Sequence, residues 1–403
     1  MSKNQQREEY LRFVSSENLS LATRRAMDLT VDMDELASFR DEVTEVRAHY
    51  NQLRGLGEGE LSGEQKNQVI QGLSAFTAAV EKMKLDDPSE TTSPAKTVVE
   101  IRDLQKHYRN GGHNFDLGPI NLSLKSGEIC GVVGENGNGK TTLLRILARE
   151  TAPDTGDIDY QGIGLNNLPD YERKQRIAFI PQRLKRWNGT LLQNLHFAAA
   201  IHGVTGEENE ERVRFVVHRL GLTRFQHLTW SQLSSGYKLR FELARMIVWR
   251  PQFLVLDEPI ANLDLVAQQQ FLQDLSHLAS STRYPLGIIL SSQQLHQIES
   301  VADQIVFLKN GKALYSGQSG SFGDDREHNT YQLSGPFSFI DLQNAMQSAS
   351  GVKVLDNGTS FTLETPIEWT TQKLLLHLVE QSIEVEYFRN ISRSTRKLFS
   401  DTL

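Results

Sequence analysis

Apolar side chains in the first part of the chain recur at intervals of three and four, the spacing of a helix that buries one face. Ser62, three residues ahead of a glutamine, is typical of a capping box that begins a helix. The pattern predicts an all-α domain of three or four helices over residues 1–85, with Glu42, Glu45 and Arg47 on a solvated face. The two apolar stripes are Leu36, Phe39, Val43, Val46, Tyr50 and Leu53, and Val69, Ile70, Leu73, Phe76, Val80 and Met83.

The pattern changes after residues 86–96, a polar, proline-bearing segment without periodicity that reads as a linker. From Thr97 onwards, short apolar runs typical of buried strands alternate with helical stretches. This alternation predicts an α/β domain over residues 97–324. The predicted strands are 98–101, 120–124, 129–133, 177–181, 253–256, 287–290 and 305–308, and the helices include 141–149, 194–202, 208–220 and 237–248.

Residues 325–403 show a third pattern, in the order strand, helix, strand, strand, helix, strand. Asn357 and Gly358 lie between two alternating runs, which is a hairpin signal. The order predicts a small α+β appendage of the ferredoxin-like type. No cluster of acids, histidines or cysteines there indicates chemistry, so we expect a dimerising or regulatory role.

Composition narrows the possible functions. The 403 residues include 38% hydrophobic and 23% charged side chains, as in a globular protein of several domains. A net charge of −7 argues against broad nucleic-acid binding, and the one cysteine, Cys130, excludes an internal disulfide. No apolar run approaches the roughly 20 residues that cross a bilayer, and the N-terminus is polar. We therefore expect a cytoplasmic protein whose contact with any membrane is made through another chain.

The segment 134–141 fits the pattern Gly-x4-Gly-Lys-Thr, between a predicted strand and a predicted helix. Glycines in such a turn let backbone N–H groups surround a phosphate, and the helix N-terminus adds partial positive charge. Lys140 is expected to reach the β- and γ-phosphates, and the Thr141 hydroxyl to hold Mg²⁺. The predicted nucleotide-binding residues are Gly134, Asn136, Gly137, Asn138, Gly139, Lys140, Thr141 and Thr142.

Three further features complete a candidate site for a nucleoside triphosphate. Asp257 and Glu258 follow an apolar strand, so they lie at the carboxyl edge of the sheet, where Asp257 can anchor Mg²⁺ and Glu258 can polarise water. Tyr108 precedes the phosphate loop and can stack on a base. Ser234 and Gly236 open a helix, where a hydroxyl and an N–H make an anion site.

In this order, the motifs of residues 97–324 resemble the nucleotide-binding domain of ABC transporters. The resemblance implies a P-loop NTPase cassette, with a RecA-like core and a helical subdomain, that binds Mg²⁺ and ATP and hydrolyses ATP. It makes Gln182 the Q-loop glutamine, which joins Thr141 and Asp257 at the metal and takes part in catalysis. It also implies that Tyr108 stacks on adenine, 233–237 is the signature, Asp257 is the Walker B acid, Glu258 is the catalytic glutamate and 261–264 is the D-loop.

Two departures from the family pattern concern catalysis. In the signature, Ser235 and Tyr237 replace a glycine and a glutamine, whereas Ser234 and Gly236 are kept and are implied to contact the γ-phosphate of a partner's nucleotide. Gln293 replaces the switch histidine. A glutamine can hydrogen-bond a phosphate but cannot carry positive charge, so we expect slow turnover.

The resemblance implies a working pair of cassettes, hence a homodimer or a related cassette chain, and a separate transmembrane permease that holds them on the inner face of the membrane. The end of the chain, 387–399, is similar to the tail of drug and polysaccharide exporters, which predicts export. Two alternatives remain: a soluble ABC-type ATP switch, or a slowly hydrolysing clamp. The residues that follow Gln182 either line a groove for the permease or form a solvated basic loop; they are Arg183, Lys185, Arg186 and Trp187.

Overall fold

The computed structural model describes residues 2–54, 61–83, 95–110, 113–164, 168–169, 172, 175–321, 328–347 and 349–392. They form two compact units, Met1–Ser316 and Gly317–Leu403. Most of the predicted linker lies outside the described residues, as does the end of the tail from residue 393. Among the described residues, we find no helix with the length and apolar character needed to cross a membrane.

The first unit begins with helices, as the apolar stripes predict. Capping boxes are present at Ser2, which precedes the first helix, and at Ser62, which precedes the fourth. The core that these helices share includes Tyr10, Met27 and Phe76, all fully buried. The helices are α1 (Lys3–Ser15), α2 (Leu19–Asp32), α3 (Arg40–Leu53) and α4 (Gly63–Lys82), with a 3-10 turn at Asp34–Phe39.

The prediction of a solvated charged face on α3 is wrong for Arg47. Glu42 and Glu45 are exposed, but Arg47 is 1% exposed. Its guanidinium donates to the carbonyls of His218 (3.2 Å) and Ser20 (3.2 Å). The cause is tertiary: this side of α3 packs on the following domain, and the helical region and the cassette, predicted as separate domains, lie in one compact unit.

The rest of the first unit has the predicted α/β alternation. A three-stranded antiparallel sheet has the order β2-β1-β4, and a six-stranded sheet has the order β5-β6-β7-β3-β8-β9, in which β5, β6, β7, β3 and β8 are parallel. The strands are β1 (Thr97–Asn110), β2 (His113–Lys125), β3 (Ile129–Val133), β4 (Thr155–Asp159), β5 (Ile177–Ile180), β6 (Phe253–Leu256), β7 (Gly287–Ser292), β8 (Gln304–Lys309) and β9 (Lys312–Gln318).

The helices of this α/β part divide between the sheet and a helical segment inserted between β5 and β6. The inserted helices are α6 (Leu191–Ile201), α7 (Gly206–Arg219) and α8 (Ser235–Ile247). The others are α5 (Lys140–Leu147), α9 (Leu265–Ala279) and α10 (Leu295–Ile298). Cys130 on β3 is fully buried, and burial raises the pKa of its thiol to about 12, which agrees with a packing role.

The second unit has the predicted order of elements. Its four strands form an antiparallel sheet in the order β11-β12-β10-β13, and Tyr331, Leu333, Leu363 and Leu374 are fully buried in its core. The elements are β10 (His328–Ser334), α11 (Phe339–Ala345), β11 (Lys353–Asp356), β12 (Phe361–Pro366), α12 (Thr371–Glu380) and β13 (Tyr387–Asn390).

Candidate functional site

The phosphate loop lies where β3 gives way to α5. Gly139 caps the N-terminus of α5 with a φ of 97°, and Gly137 has a φ of 83°. Residues other than glycine rarely adopt these positive φ values. A Cβ added at Gly134 would meet the Leu308 carbonyl oxygen at 2.4 Å. A Cβ at Gly137 would meet nothing within 4 Å, so open space borders the loop there. The glycines thus allow both the tight turn and close approach by a ligand.

Lys140 is 4% exposed and folds back over this loop. Its Nζ donates to the carbonyls of Gly134 (2.7 Å) and Glu135 (3.1 Å) and lies 3.1 Å from Glu258 Oε1. An ammonium group has three donors. The lysine is therefore fully engaged by the loop and by the acid that follows β6, a strand separated from β3 by β7.

Glu258 is the centre of the candidate site. Besides Lys140, its carboxylate accepts hydrogen bonds at Oε2 from Gln182 Nε2 (3.0 Å) and Gln293 Nε2 (2.9 Å). These residues follow β5, β6, β7 and β3, four neighbouring parallel strands, so their carboxyl ends bring the predicted groups together. Glu258 has a φ of 44°, and such backbone strain in a non-glycine residue is often found at functional sites.

Ser291 is a contact that the sequence reasoning missed. Its fully buried hydroxyl donates to Asp257 Oδ1 (2.8 Å) and accepts from the Glu258 backbone N–H (2.8 Å). One hydroxyl thus orients both acids. The available signal was a serine in a buried strand directly beside the strand that carries the acids.

Two other site residues have structural contacts that the motif does not predict. The Asn138 side chain, 7% exposed, accepts a hydrogen bond from the Asn310 N–H (2.7 Å), which ties the phosphate loop to the turn between β8 and β9. Tyr108 is 37% exposed on β1, opposite Phe115 on β2. Phe115 reaches the phosphate loop, since a Cβ at Gly139 would lie 2.9 Å from its ring. Tyr108 therefore lies one strand away from the loop.

The signature residues open α8 and stay apart from this cluster. The Ser234 side chain accepts from the Tyr237 N–H (3.5 Å), and the Tyr237 ring contacts the Phe225 ring at a tilt of 36°, with centroids 3.8 Å apart. A Cβ at Gly236 would meet Leu263 of the predicted D-loop at 3.7 Å. Across the described stretches of the chain, no hydrogen bond or ion pair joins Ser234 or Gly236 to the phosphate loop.

The residues of the basic stretch after Gln182 differ in their surroundings. Arg183, Lys185 and Arg186 are exposed. Trp187 instead donates through Nε1 to Glu242 Oε1 on α8 (2.7 Å). Its ring also lies 3.9 Å from the Arg245 guanidinium. The tryptophan therefore links the segment after β5 to the helix that carries the signature.

The donor set at the strand ends suits Mg²⁺, which takes oxygen ligands. Thr141 is exposed at the start of α5, the Asp257 carboxylate is oriented by Ser291, and Gln182 offers an amide oxygen one strand further along. These residues fit the expected ion in the chemistry of their oxygen donors.

A glycine-rich loop between a parallel strand and a helix, facing a lysine and two acids, defines a P-loop nucleoside triphosphatase. Residues 117–261 match the family described as ABC transporter, so the chain contains an ABC transporter ATP-binding domain. Domains of this family hydrolyse ATP, and the expected ATPase activity is thereby confirmed.

Three relatives are each similar to 57% of this chain. The methionine import ATP-binding protein MetN of Staphylococcus saprophyticus is 29% identical, with 69% of its length covered. The phosphonates import ATP-binding protein PhnC of Treponema denticola is 28% identical, with 93% covered. The spermidine/putrescine import ATP-binding protein PotA of Haemophilus influenzae is 30% identical, with 60% covered. All three names specify import, so the predicted exporter type finds no support among them.

Proposed function

We propose that this chain is the ATP-hydrolysing subunit of an ABC transporter, working as a pair of cassettes on the cytoplasmic face of a separate membrane permease. The observation that carries the proposal is the convergence of Lys140, Gln182 and Gln293 on Glu258 beside a glycine-lined phosphate loop. These residues place a cation that can bind phosphate oxygens close to a carboxylate that can polarise water.

The contacts of Lys140 imply how a triphosphate is received. Its ammonium donates to two loop carbonyls and pairs with Glu258. Phosphate oxygens are better acceptors for a buried cation, so we expect them to take over these donors and release Glu258 from the pair. ATP binding then frees the carboxylate that is needed to polarise the attacking water.

The amides and acids around Glu258 have separate roles in the proposal. Gln182 and Gln293 hold the carboxylate by one oxygen, which leaves the other free to accept from water once Lys140 has turned to phosphate. Thr141, Asp257 and Gln182 would hold Mg²⁺, which would neutralise part of the phosphate charge. Ser291 orients Asp257 for binding the metal ion and Glu258 for polarising water.

The position of the signature supports pairing of two cassettes. Ser234 and Gly236 open a helix of thirteen residues, yet their described contacts are with Tyr237 and the D-loop rather than with the phosphate loop. A helix N-terminus that bears a hydroxyl binds anions well. We propose that it closes on the nucleotide of a second cassette, in a homodimer or with a related chain.

We also propose that Tyr108 contacts the adenine of the bound nucleotide, and that Asn136 and Thr142 line the phosphate site.

We infer import as the direction of transport, because the names of the three relatives above specify import. A second candidate function is an ATP-gated clamp that turns over slowly, and the amide of Gln293 favours it. Gln293 donates to Glu258 Oε2 at 2.9 Å, but its amide has neither a charge nor a transferable proton.

For the terminal regions, we propose that the N-terminal helices contact another protein. We propose that the last domain is ferredoxin-like and has a dimerising or regulatory role.

One experiment tests the proposal at two levels. Glu258→Gln is expected to keep ATP binding, to lower hydrolysis by about 10² to 10⁴-fold and to accumulate an ATP-bound dimer in size-exclusion chromatography. Lys140→Ala is expected to abolish turnover without forming that dimer. Unchanged hydrolysis in both variants would remove the mechanism. Copurification of the wild-type chain with ribosomes or DNA, and with no membrane protein, would favour the soluble switch instead.

A further inference from the structure

A cavity of about 140 Å³ lies within the first unit, away from the phosphate loop. Three parts of the chain meet there: helix α2 and the start of α3, helix α7 with the end of α8, and helix α9 with the segment that leads into β7. One water needs roughly 10–15 Å³ of such space, so there is room for about ten waters or for a small organic molecule.

Much of the cavity lining is apolar. The side chains there come from all three parts, and several, including Val216, Val248 and Leu286, are almost fully buried. Water in contact with such a wall gains few hydrogen bonds, whereas an apolar group gains contact and leaves bulk water. The apolar lining residues are Val31, Phe215, Val216, Ile247, Val248, Pro251, Leu278 and Leu286.

Arginines from three segments line the same cavity. Arg40 begins α3, Arg212 lies on α7 and Arg250 follows α8. Arg212 is paired with Glu208. For Arg40 and Arg250, no carboxylate lies within ion-pair distance among the residues that the structure describes. Arg40 donates to the Thr30 carbonyl (3.3 Å), and the Arg250 guanidinium lies 4.1 Å from the Tyr284 ring.

The positive charges act on one another. Partial burial lowers the pKa of Arg250, and the positive charges of Arg212 and Arg40 lower it further, against the opposing effects of Tyr284 and Glu208. Repulsion of this kind is relieved by an anion placed among them. Two guanidinium groups from separate segments therefore line one cavity, and neither has a carboxylate within ion-pair distance among the described residues, which suits the cavity to an anion.

The acids of the cavity wall are already engaged. Asp28 accepts two hydrogen bonds from Arg219, at 2.6 and 3.0 Å. Asp32, 8% exposed, accepts from the Ser281 hydroxyl (2.5 Å) and from the Arg283 N–H (3.4 Å). Burial raises the pKa of Asp32, because it disfavours the charged form of the carboxyl. Glu211 is exposed at the rim. None of these acids neutralises Arg40 or Arg250.

We propose that this cavity binds a small organic anion with an apolar body, a carboxylate of about ten non-hydrogen atoms. The carboxylate lies between Arg40 and Arg250, and the apolar body lies along Phe215, Val216 and Leu286. Such a ligand contacts the N-terminal helices and both parts of the cassette at once. The site is separate from the phosphate loop, so ligand binding does not require ATP.

Octanoate is a suitable probe, titrated into the nucleotide-free, full-length protein by isothermal calorimetry. We expect saturable binding of one octanoate per chain. Arg40→Gln and Arg250→Gln are each expected to weaken binding about tenfold or more. Arg283→Gln, which removes an exposed arginine beside the cavity but outside its lining, is expected to leave the affinity unchanged. Val31→Phe keeps every charge and fills the space, so it is expected to block binding.

Two comparisons on the wild-type protein keep the test independent of how well the variants fold. 1-Octanol has the apolar body without the charge, and acetate has the carboxylate without the body; each is expected to bind at least tenfold more weakly than octanoate. Absence of saturable octanoate binding at millimolar concentration would overturn the proposal. So would octanol or acetate binding as tightly as octanoate, because the cavity would then not recognise both features.

Discussion

Two of the buried clusters of charge in the first unit differ in purpose. In one, Lys140 pairs with Glu258 at the edge of the sheet (3.1 Å), on loops bordered by open space. In the other, Asp274 of α9 lies between Arg24 of α2 (3.2 Å) and Arg219 of α7 (3.6 Å), all nearly inaccessible. Here the charges join the N-terminal helices to two parts of the cassette.

The difference lies in what can replace each pair. The carbonyls and carboxylate around Lys140 can give way to phosphate, so that cluster is suited to exchange. The side chains around Asp274 are nearly inaccessible, so a ligand cannot take the place of their partners. Burial by itself raises the pKa of Asp274, but Arg24, Arg219 and Arg240 outweigh it, and the net pKa is lowered. The same chemical pairing thus serves ligand exchange at one place and permanent association at the other. We call the cluster around Lys140 and Glu258 the exchangeable cluster, and the cluster around Asp274 the permanent cluster.

The largest expected effect is at the permanent cluster. Asp274→Asn leaves the Arg24 charge buried without a partner, and breaking such a pair costs about 3–5 kcal/mol. We expect that loss in the free energy of unfolding, measured by urea titration of the full chain. Affinity for ATP is expected to change little, because the nucleotide site lies elsewhere.

The matched control is Asp41→Asn. Asp41 also joins an N-terminal helix to α7, through Arg214, but both side chains are largely exposed. An exposed pair is weakened by solvent, so its removal is expected to change stability little. Equal losses for Asp274→Asn and Asp41→Asn would mean that burial does not distinguish the two interfaces.

The exchangeable cluster could be predicted from the sequence and the permanent one could not. Lys140, Glu258 and Gln182 lie at fixed places relative to strands, and parallel strands align their carboxyl ends, so local patterns imply one site. Asp274 and Arg24 are 250 positions apart in the chain and carry no motif. Their pairing depends on how two domains pack, as does the burial of Arg47, which periodicity alone assigns to solvent.

Ser291 tests how finely the exchangeable cluster is positioned. Ser291→Ala removes the hydroxyl that joins Asp257 to the Glu258 backbone, and loss of such a supporting contact typically lowers activity about 10–100-fold. The rate constant of ATP hydrolysis at saturating ATP is expected to fall. Ser292→Ala is the control, since this equally buried hydroxyl contacts Gln294 and Gln297 instead of the acids. A similar fall in both variants would indicate a general packing effect.

A smaller change is expected at Gln293. If its neutral amide slows hydrolysis, Gln293→His should raise the rate a few-fold, because an imidazole can carry charge and transfer a proton near neutral pH. The steady-state ATPase rate between pH 6 and 8 is the measurement. Gln294→His places the same ring on the next exposed residue, without the contact to Glu258, and should leave the rate unchanged. A rate that stays constant or falls in Gln293→His would show that the amide is not a brake.

The smallest effect concerns Asp32, a buried acid in the lining of the arginine-lined cavity, which has no cation within ion-pair distance among the residues that the structure describes. Burial raises its pKa above the ordinary aspartate value of 3.8, so its contribution to stability is complete below that value and is lost as pH rises through the folded-state pKa. Asp32→Asn should therefore stabilise the protein slightly at pH 7, and the difference from wild type should shrink towards pH 4. The gain is limited because Oδ2 has no hydrogen-bond partner and the new amide donor has none either. Urea unfolding at both pH values, with the exposed Glu35→Gln as control, measures it. A variant less stable than wild type at pH 7 would show that Asp32 is ionised and stabilised there, as Asp274 is.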